Sequence, residues 1–143
     1  MPAKSSPRIS DYVKALPLRP GLRVLEIGCG PGVAAREVSR RIGDGRIVAI
    51  DRSAKAIALA VAGSASELET GHLEFRTVAI EDFARDPGEG RFDLAFAMRV
   101  GALDGRHPKA GQRVMTRLKA ALKPDGLLFI DSASPIRGDE IDV

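Results

Sequence analysis

The segment Glu26-Ile27-Gly28-Cys29-Gly30-Pro31-Gly32 constrains this chain more than any other. It follows directly on the apolar run Leu22–Ile27, which only Arg23 and Glu26 interrupt. Behind it, residues 31–42 have helical spacing, with Ala34, Ala35, Val38 and Ile42 on one face and Arg36, Glu37, Arg40 and Arg41 on the other. The glycines permit a tight reversal and let a ligand approach where a Cβ would clash. The helix start behind them offers backbone N–H groups with no intrahelical partner. A strand turning through such a loop into a helix opens a βαβ unit.

The rest of the chain repeats that alternation. Residues 1–8 read as a frayed tail. Ile9, Tyr12, Val13 and Leu16 are spaced as one helical face, which Pro17 and Pro20 stop. Further strands are expected at Ile47–Ile50, Leu73–Ile80, Phe92–Met98 and Leu127–Ile130. Helices are expected from Ser53, a capping residue, through Ala62, then at Ser64–Glu69 beyond Gly63, and at Gln112–Leu122 before a Pro124-Asp125-Gly126 turn. Strands apolar enough to be covered on both faces, alternating with helices, imply an α/β fold: a doubly wound, mainly parallel sheet of about five strands. At 143 residues the chain has the length of one domain, assigned to residues 9–131 with tails at 1–8 and 132–143. In such sheets ligands sit beyond the carboxyl ends of the strands, at the topological switch point.

Composition removes several alternatives. One cysteine allows neither an internal disulfide framework nor a multi-cysteine zinc site, and two histidines, His72 and His107, leave little for a metal centre. Aromatic residues are 4% of the chain, too few for base-stacking platforms. No apolar run approaches the roughly 20 residues that span a bilayer, and Met1–Pro7 does not resemble a secretory signal, so a cytoplasmic setting is expected. The net charge of +3 does not by itself call for nucleic acid. Residues 99–123 hold seven Lys or Arg against one acid, Asp104, and Lys109, Arg113 and Arg117 recur every four residues. Such a stripe is more often a solvated helix face than a phosphate track, so a nucleic-acid partner is not favoured.

The glycine turn belongs to neither common phosphate cradle. Val33 stands where G-x-G-x-x-G needs its third glycine, and no Gly-Lys-Ser/Thr ending is present. Asp51, at the end of the second strand and 25 residues after Glu26, is placed beside the turn, where its carboxylate can accept hydrogen bonds from two ribose hydroxyls.

Residues 22–131 resemble the class I S-adenosylmethionine-dependent methyltransferases, in the small bacterial group with a generic methyltransferase domain. Val24-Leu25-Glu26-Ile27-Gly28-Cys29-Gly30-Pro31-Gly32 is similar to the first motif and Val48-Ala49-Ile50-Asp51 to the second. Arg91-Phe92-Asp93-Leu94-Ala95-Phe96 resembles the fourth-strand motif, and Leu122-Lys123-Pro124-Asp125-Gly126 the segment before the fifth strand. The resemblance implies a Rossmann-like fold with S-adenosyl-L-methionine as cofactor and methyl transfer as activity. It implies that Glu26 helps position the methionine end through its ammonium or an intervening water, that Gly28 and Gly30, flanking Cys29, pass close to that end, and that Arg52 flanks the adenosine. Ala79 stands where the family often has an acidic adenine reader, so backbone at Ile80 or Glu81 and the carboxylates of Glu81 or Asp82 are the candidates instead. Met98 and Arg99 would lie beside the reactive methyl, chiefly through their backbone.

The same resemblance leaves the acceptor open. Met98-Arg99-Val100-Gly101 replaces the Asn/Asp-Pro-Pro-aromatic pattern of amino-group nucleic-acid methyltransferases. His107, after the fourth strand, is the one candidate general base, and a surface histidine before Pro108 is the plainer reading. Thirteen residues after Ile130 cannot supply the helix and two strands that complete the seven-stranded methyltransferase fold, so a shortened sheet is expected. Its fifth strand would then be an edge, covered by the tail or by another subunit, as in a homodimer. Methyl transfer to a small molecule is the favoured function. RNA or protein methylation comes second, and non-catalytic S-adenosylmethionine binding third.

Overall fold

Each apolar run is separated from the next by a helix-length crossover, and the result is one sheet. The computed structural model describes residues 7–103 and 108–143. Its strands are β1 (Arg23–Ile27), β2 (Arg46–Asp51), β3 (Leu73–Thr77), β4 (Phe92–Ala97), β5 (Leu122–Ile130) and β6 (Ile136–Arg137). Its helices are α1 (Pro7–Ala15), α2 (Val33–Ser39), α3 (Ala54–Ala62), α4 (Ala65–Glu69) and α5 (Pro108–Ala121). The order across the sheet is β3-β2-β1-β4-β5-β6, parallel except for the last pair.

Successive residues of a strand point to opposite faces, so the central strands feed two cores. On one face Leu25, Ile27, Val48, Ile50 and Leu128 pack against Val114 and Leu118 of α5. On the other, Val24, Ile47, Ala49 and Phe96 meet Val13 of α1 and Ala34, Ala35 and Val38 of α2. Glu26 shares the face of Val24 and is carried among these apolar groups at 5% exposure.

Several elements differ from the sequence expectation, each for a local reason. Helix α1 begins at Pro7, which suits a first helical turn because that turn needs no intrahelical N–H bond there. Strand β3 ends at Thr77, and Ile80–Asp82 form a separate 3-10 turn. Leu122 is not helical; it opens β5 opposite Phe92. The expected Pro124-Asp125-Gly126 turn lies inside that strand as a β-bulge, where the register shifts between the Phe92–Leu122 and Leu94–Leu127 pairs. Asp93 anchors it, accepting from Lys123 Nζ at 2.7 Å and from the Arg23 backbone N–H at 2.9 Å. The β5 edge is covered by the chain's own tail: β6 pairs antiparallel with it and a 3-10 turn at Gly138–Glu140 follows.

Arg36 and Glu37 do not face solvent with the rest of their expected polar stripe; both are 8% exposed. The α3–α4 junction crosses that side of α2. There Arg36 Nη1 donates to the buried Ser64 Oγ at 3.0 Å and to the Pro31 carbonyl at 2.9 Å. The guanidinium thus ties the glycine turn to the junction.

Among the described residues, no helix is long and apolar enough to cross a membrane. The basic segment is largely occupied within the protein. Arg113 pairs with Asp82, Arg117 donates to the Glu81 carbonyl, Lys119 to the Ile141 carbonyl and Lys123 to Asp93.

Candidate functional site

The chain runs outward from β1 through β2 and β3 before returning to β4 on the other side of β1. That reversal places the switch point at the carboxyl ends of β1 and β4, and two adjoining cavities open there. One, of about 500 Å³, is bounded by Asp51 and Arg52 after β2, by Ile80 and Glu81 of the 3-10 turn, and by Gly28 and Arg99. The other, of about 400 Å³, takes Arg8 and Ile9 of α1, Glu26, Cys29 and Gly30 of the turn, and Met98, and it shares Gly28 and Arg99 with the first.

Asp51 is held by both oxygens. Gly30 N–H donates to its Oδ2 at 2.9 Å and Ser53 N–H to its Oδ1 at 2.9 Å. Each carboxylate oxygen has a second lone pair, so two acceptor directions are left for a ligand. Ser53 in turn caps α3, accepting from the Ala56 N–H at 3.1 Å. The turn itself depends on glycine where the backbone is left-handed. At Gly32, φ is 86°, and a Cβ there would stand 2.9 Å from Phe75 Cζ and 3.1 Å from the Ala60 Cβ. At Gly30 a Cβ would meet nothing within 4 Å, so that side of the turn is open. Gly32→Ala should therefore cost about 1–3 kcal/mol of folding stability from backbone strain alone. Chemical denaturation measures this, and a variant as stable as the parent would contradict the crowding.

Glu26 lies at the floor of the second cavity, and its Oε1 has no hydrogen-bond partner. Burial pushes its pKa up to about 8, and the neighbouring Asp51 carboxylate adds to the rise. A buried unpaired oxygen costs roughly 1–3 kcal/mol, a cost that a bound donor removes. Tyr12 Oη is likewise buried and unpartnered, and its pKa rises to about 12 through burial and then through Asp131 and Glu26. Burial also raises the Cys29 thiol, with Glu26 and Asp51 adding to it, so Cys29 is not poised as a nucleophile.

Among the described residues two beyond the glycines have left-handed backbone, Arg99 at φ 57° and Asp131 at φ 48°. They follow the ends of the neighbouring strands β4 and β5, and Arg99 N–H donates to Asp131 Oδ1 at 2.7 Å. Such conformations cost on the order of 1–3 kcal/mol each and persist only where surrounding contacts hold them.

The two cavities bring together every sequence-derived candidate except two. Asp82 lines neither, and its carboxylate pairs with Arg113 at 2.9 Å. His107, with Asp104, lies outside the described residues. Glu81 borders the first cavity but its Oε2 accepts from Arg52 Nη2 at 2.9 Å, so the backbone of the 3-10 turn is the less encumbered group there. Arg8, Arg36 and Asp131 were not legible. Arg8 falls in the segment that the sequence marks as tail, because the apolar spacing of α1 starts only at Ile9. Asp131 carries the same signal as Asp51, an acid at a strand's carboxyl end, but it sits at the boundary assigned to the domain.

The methyltransferase domain family matches residues 24–126, which contain the turn, Asp51 and the strand ends described above. The chain belongs to the class I S-adenosylmethionine-dependent methyltransferase family. The methyltransferase domain is 36% identical over 121 residues to a ubiquinone biosynthesis O-methyltransferase of Bradyrhizobium sp. (strain ORS 278), covering 83% of this chain and 43% of that protein. It is 31% identical over 123 residues to the enzyme of that name from Xanthomonas campestris pv. campestris (strain B100), covering 85% and 47%. It therefore spans under half the length of these relatives. Among solved structures it is similar to the [4+2]-cyclase SpnF, with TM-score 0.68, 28% identity and coverage of 86% and 43%. It also shares its fold with an S-adenosylmethionine-dependent methyltransferase from Thiobacillus denitrificans in complex with S-adenosyl-L-homocysteine, with TM-score 0.69, 21% identity and coverage of 91% and 50%.

Proposed function

We propose that this domain binds S-adenosyl-L-methionine and transfers its methyl group to an oxygen of a small-molecule acceptor. The observation that carries the reading is the Asp51 carboxylate, fixed by the Gly30 and Ser53 N–H groups beside an open glycine turn, with lone pairs to spare. A ribose offers two hydroxyls to such a group. The unpaired Glu26 Oε1 supports it from the other end, because an ammonium satisfies a buried carboxylate. Asp51 would hold the ribose, the Ile80–Glu81 backbone would take the adenine edge, and Glu26 and Arg8 would hold the ammonium and carboxylate of the amino-acid end.

The cofactor supplies a methyl group made electrophilic by its sulfonium. The chain's part is to hold that group at the junction of the two cavities, exclude water and bring an oxygen nucleophile into line. The 36%-identical relative's name supports oxygen as the acceptor atom and a small molecule as its carrier.

Titration calorimetry with S-adenosyl-L-homocysteine, with NADH as control, tests the first half. Micromolar binding of the first alone is expected, and binding of NADH in its place would overturn the reading. Because SpnF, named a cyclase, has a similar structure, the second half needs a separate readout. Incubation with methyl-labelled S-adenosyl-L-methionine and a pool of small hydroxyl-bearing acceptors should give O-methylated product, and tight cofactor binding with no transfer to any small-molecule pool would support the non-catalytic alternative.

A further inference from the structure

We infer that Arg117 of α5 is a positioning residue for the cofactor's base: by holding the Glu81 carbonyl it orients the Ile80–Glu81 backbone that would take the adenine edge. This rests on the cofactor reading above. Arg117 does not line the cavity of Asp51 and Glu81. It lines a separate one of about 400 Å³, between α5 and the segment from Phe83 to Glu89. Its effect on the ligand therefore passes through the turn.

The bonds within the 3-10 turn show which groups it leaves over. Asp82 N–H donates to the Ala79 carbonyl at 3.0 Å and Phe83 N–H to the Ile80 carbonyl at 3.1 Å. The N–H groups of Ile80 and Glu81 are not spent in these two bonds, and neither is the Glu81 carbonyl. Arg117 Nε donates to that carbonyl at 3.1 Å, across 36 residues of chain and in a partly buried setting. A guanidinium is a charged donor, so the bond is stronger than one between neutral groups.

Packing alone leaves the orientation of the turn open. Ile80 is buried in the same core as Val114 and Leu118 of α5. Burial of apolar surface has no direction, so it fixes where the turn sits and not how its peptide groups are rotated. A hydrogen bond weakens steeply off its axis, and it fixes the rotation. Arg117 is the residue before Leu118, so both anchors come from one helix. The remaining polar ties end on side chains instead of backbone. Arg52 reaches Glu81 and Arg113 reaches Asp82, both at 2.9 Å, but the Arg52 and Arg113 side chains are 71% and 60% exposed. Exposed ion pairs of this kind hold little.

The test compares the parent, Arg117→Met and Arg117→Lys as whole chains. Methionine keeps an unbranched stem and removes the donor, while lysine keeps a donor. Calorimetry gives the affinity for S-adenosyl-L-homocysteine, and amide NMR gives the ligand-induced shifts at saturation. Arg117→Met should bind roughly tenfold more weakly, as expected for one such bond, and Arg117→Lys should recover most of that loss. The shifts of the Gly30 and Ser53 amides, which flank Asp51, should match the parent in both variants. Those of Ile80 and Glu81 should shrink in Arg117→Met alone. Unchanged affinity in a folded Arg117→Met chain, shifts altered alike at all four amides, or lysine no better than methionine would overturn the inference. Parent binding is measured first. Its absence would overturn the cofactor reading and this inference with it, whereas failure confined to the variants overturns the inference alone.

Discussion

Binding of S-adenosyl-L-homocysteine should tighten about 50-fold between roughly pH 6 and pH 8 and then level off. The cause is Glu26, whose pKa stands at about 8 because burial penalises its charge and Asp51 repels it. Only the carboxylate form pairs with a ligand ammonium. About one molecule in a hundred carries that form two units below the pKa, against half of them at the pKa. Binding at neutral pH therefore releases a proton, which calorimetry in buffers of different ionisation heat detects directly. Glu26→Gln should flatten the profile, and a profile as steep as that of the parent would exclude Glu26 as its source. The same shift acts oppositely on the ligand-free fold. The folded pKa is raised above the unfolded one, so the unfolded chain ionises first as pH rises. Glu26 thus lowers folding stability progressively from about pH 4.5 to about pH 8, with no further loss above. Ligand-free protein should therefore melt less readily near pH 5 than near pH 8 as far as this group is concerned, while the ligand's stabilising effect grows in the same interval.

Asp51→Ala should weaken S-adenosyl-L-homocysteine binding by about 1–3 kcal/mol, the usual cost of leaving polar groups unpaired in a buried complex. Two effects combine in this variant. The ribose hydroxyls lose their acceptor, and the N–H groups of Gly30 and Ser53 lose theirs, so the turn is less firmly placed. Asp51→Asn separates them. An amide keeps one acceptor oxygen for one of those N–H groups but presents an NH₂ group to the other, so it should bind less well than the parent and better than alanine. Affinity unchanged in a folded Asp51→Ala variant, with the fold checked by circular dichroism, would remove the ribose assignment.

The central strands were legible because their apolar runs are short, bounded by glycine or charge, and need no distant information. Ser53 as a cap and Gly63 as a break were legible for the same reason, since capping and helix termination are decided within a few residues. Leu122 is ambiguous in sequence because an apolar residue ending a helical pattern and one opening a strand look alike; its pairing with Phe92, thirty residues earlier, decides the matter. The burial of Arg36 is invisible in sequence because helical periodicity shows which residues share a face but not what lies against that face. Only the return of the chain at Ser64 turns a polar stripe into a buried contact.

The parallel α/β class, the glycine turn at the end of the first strand, and the acidic residues Glu26 and Asp51 are written in the order of the residues alone. These follow from periodicity, from glycine's conformational range and from the rule that ligands gather at strand ends. Folding is what leaves Glu26 Oε1 unpaired, brings Arg8 to the same cavity from the first helix, and sets Asp131 against Arg99 where two cavities meet. Those facts depend on contacts between segments far apart in the chain, as when Arg8 and Arg99 line one cavity, and packing, not local pattern, brings such segments together.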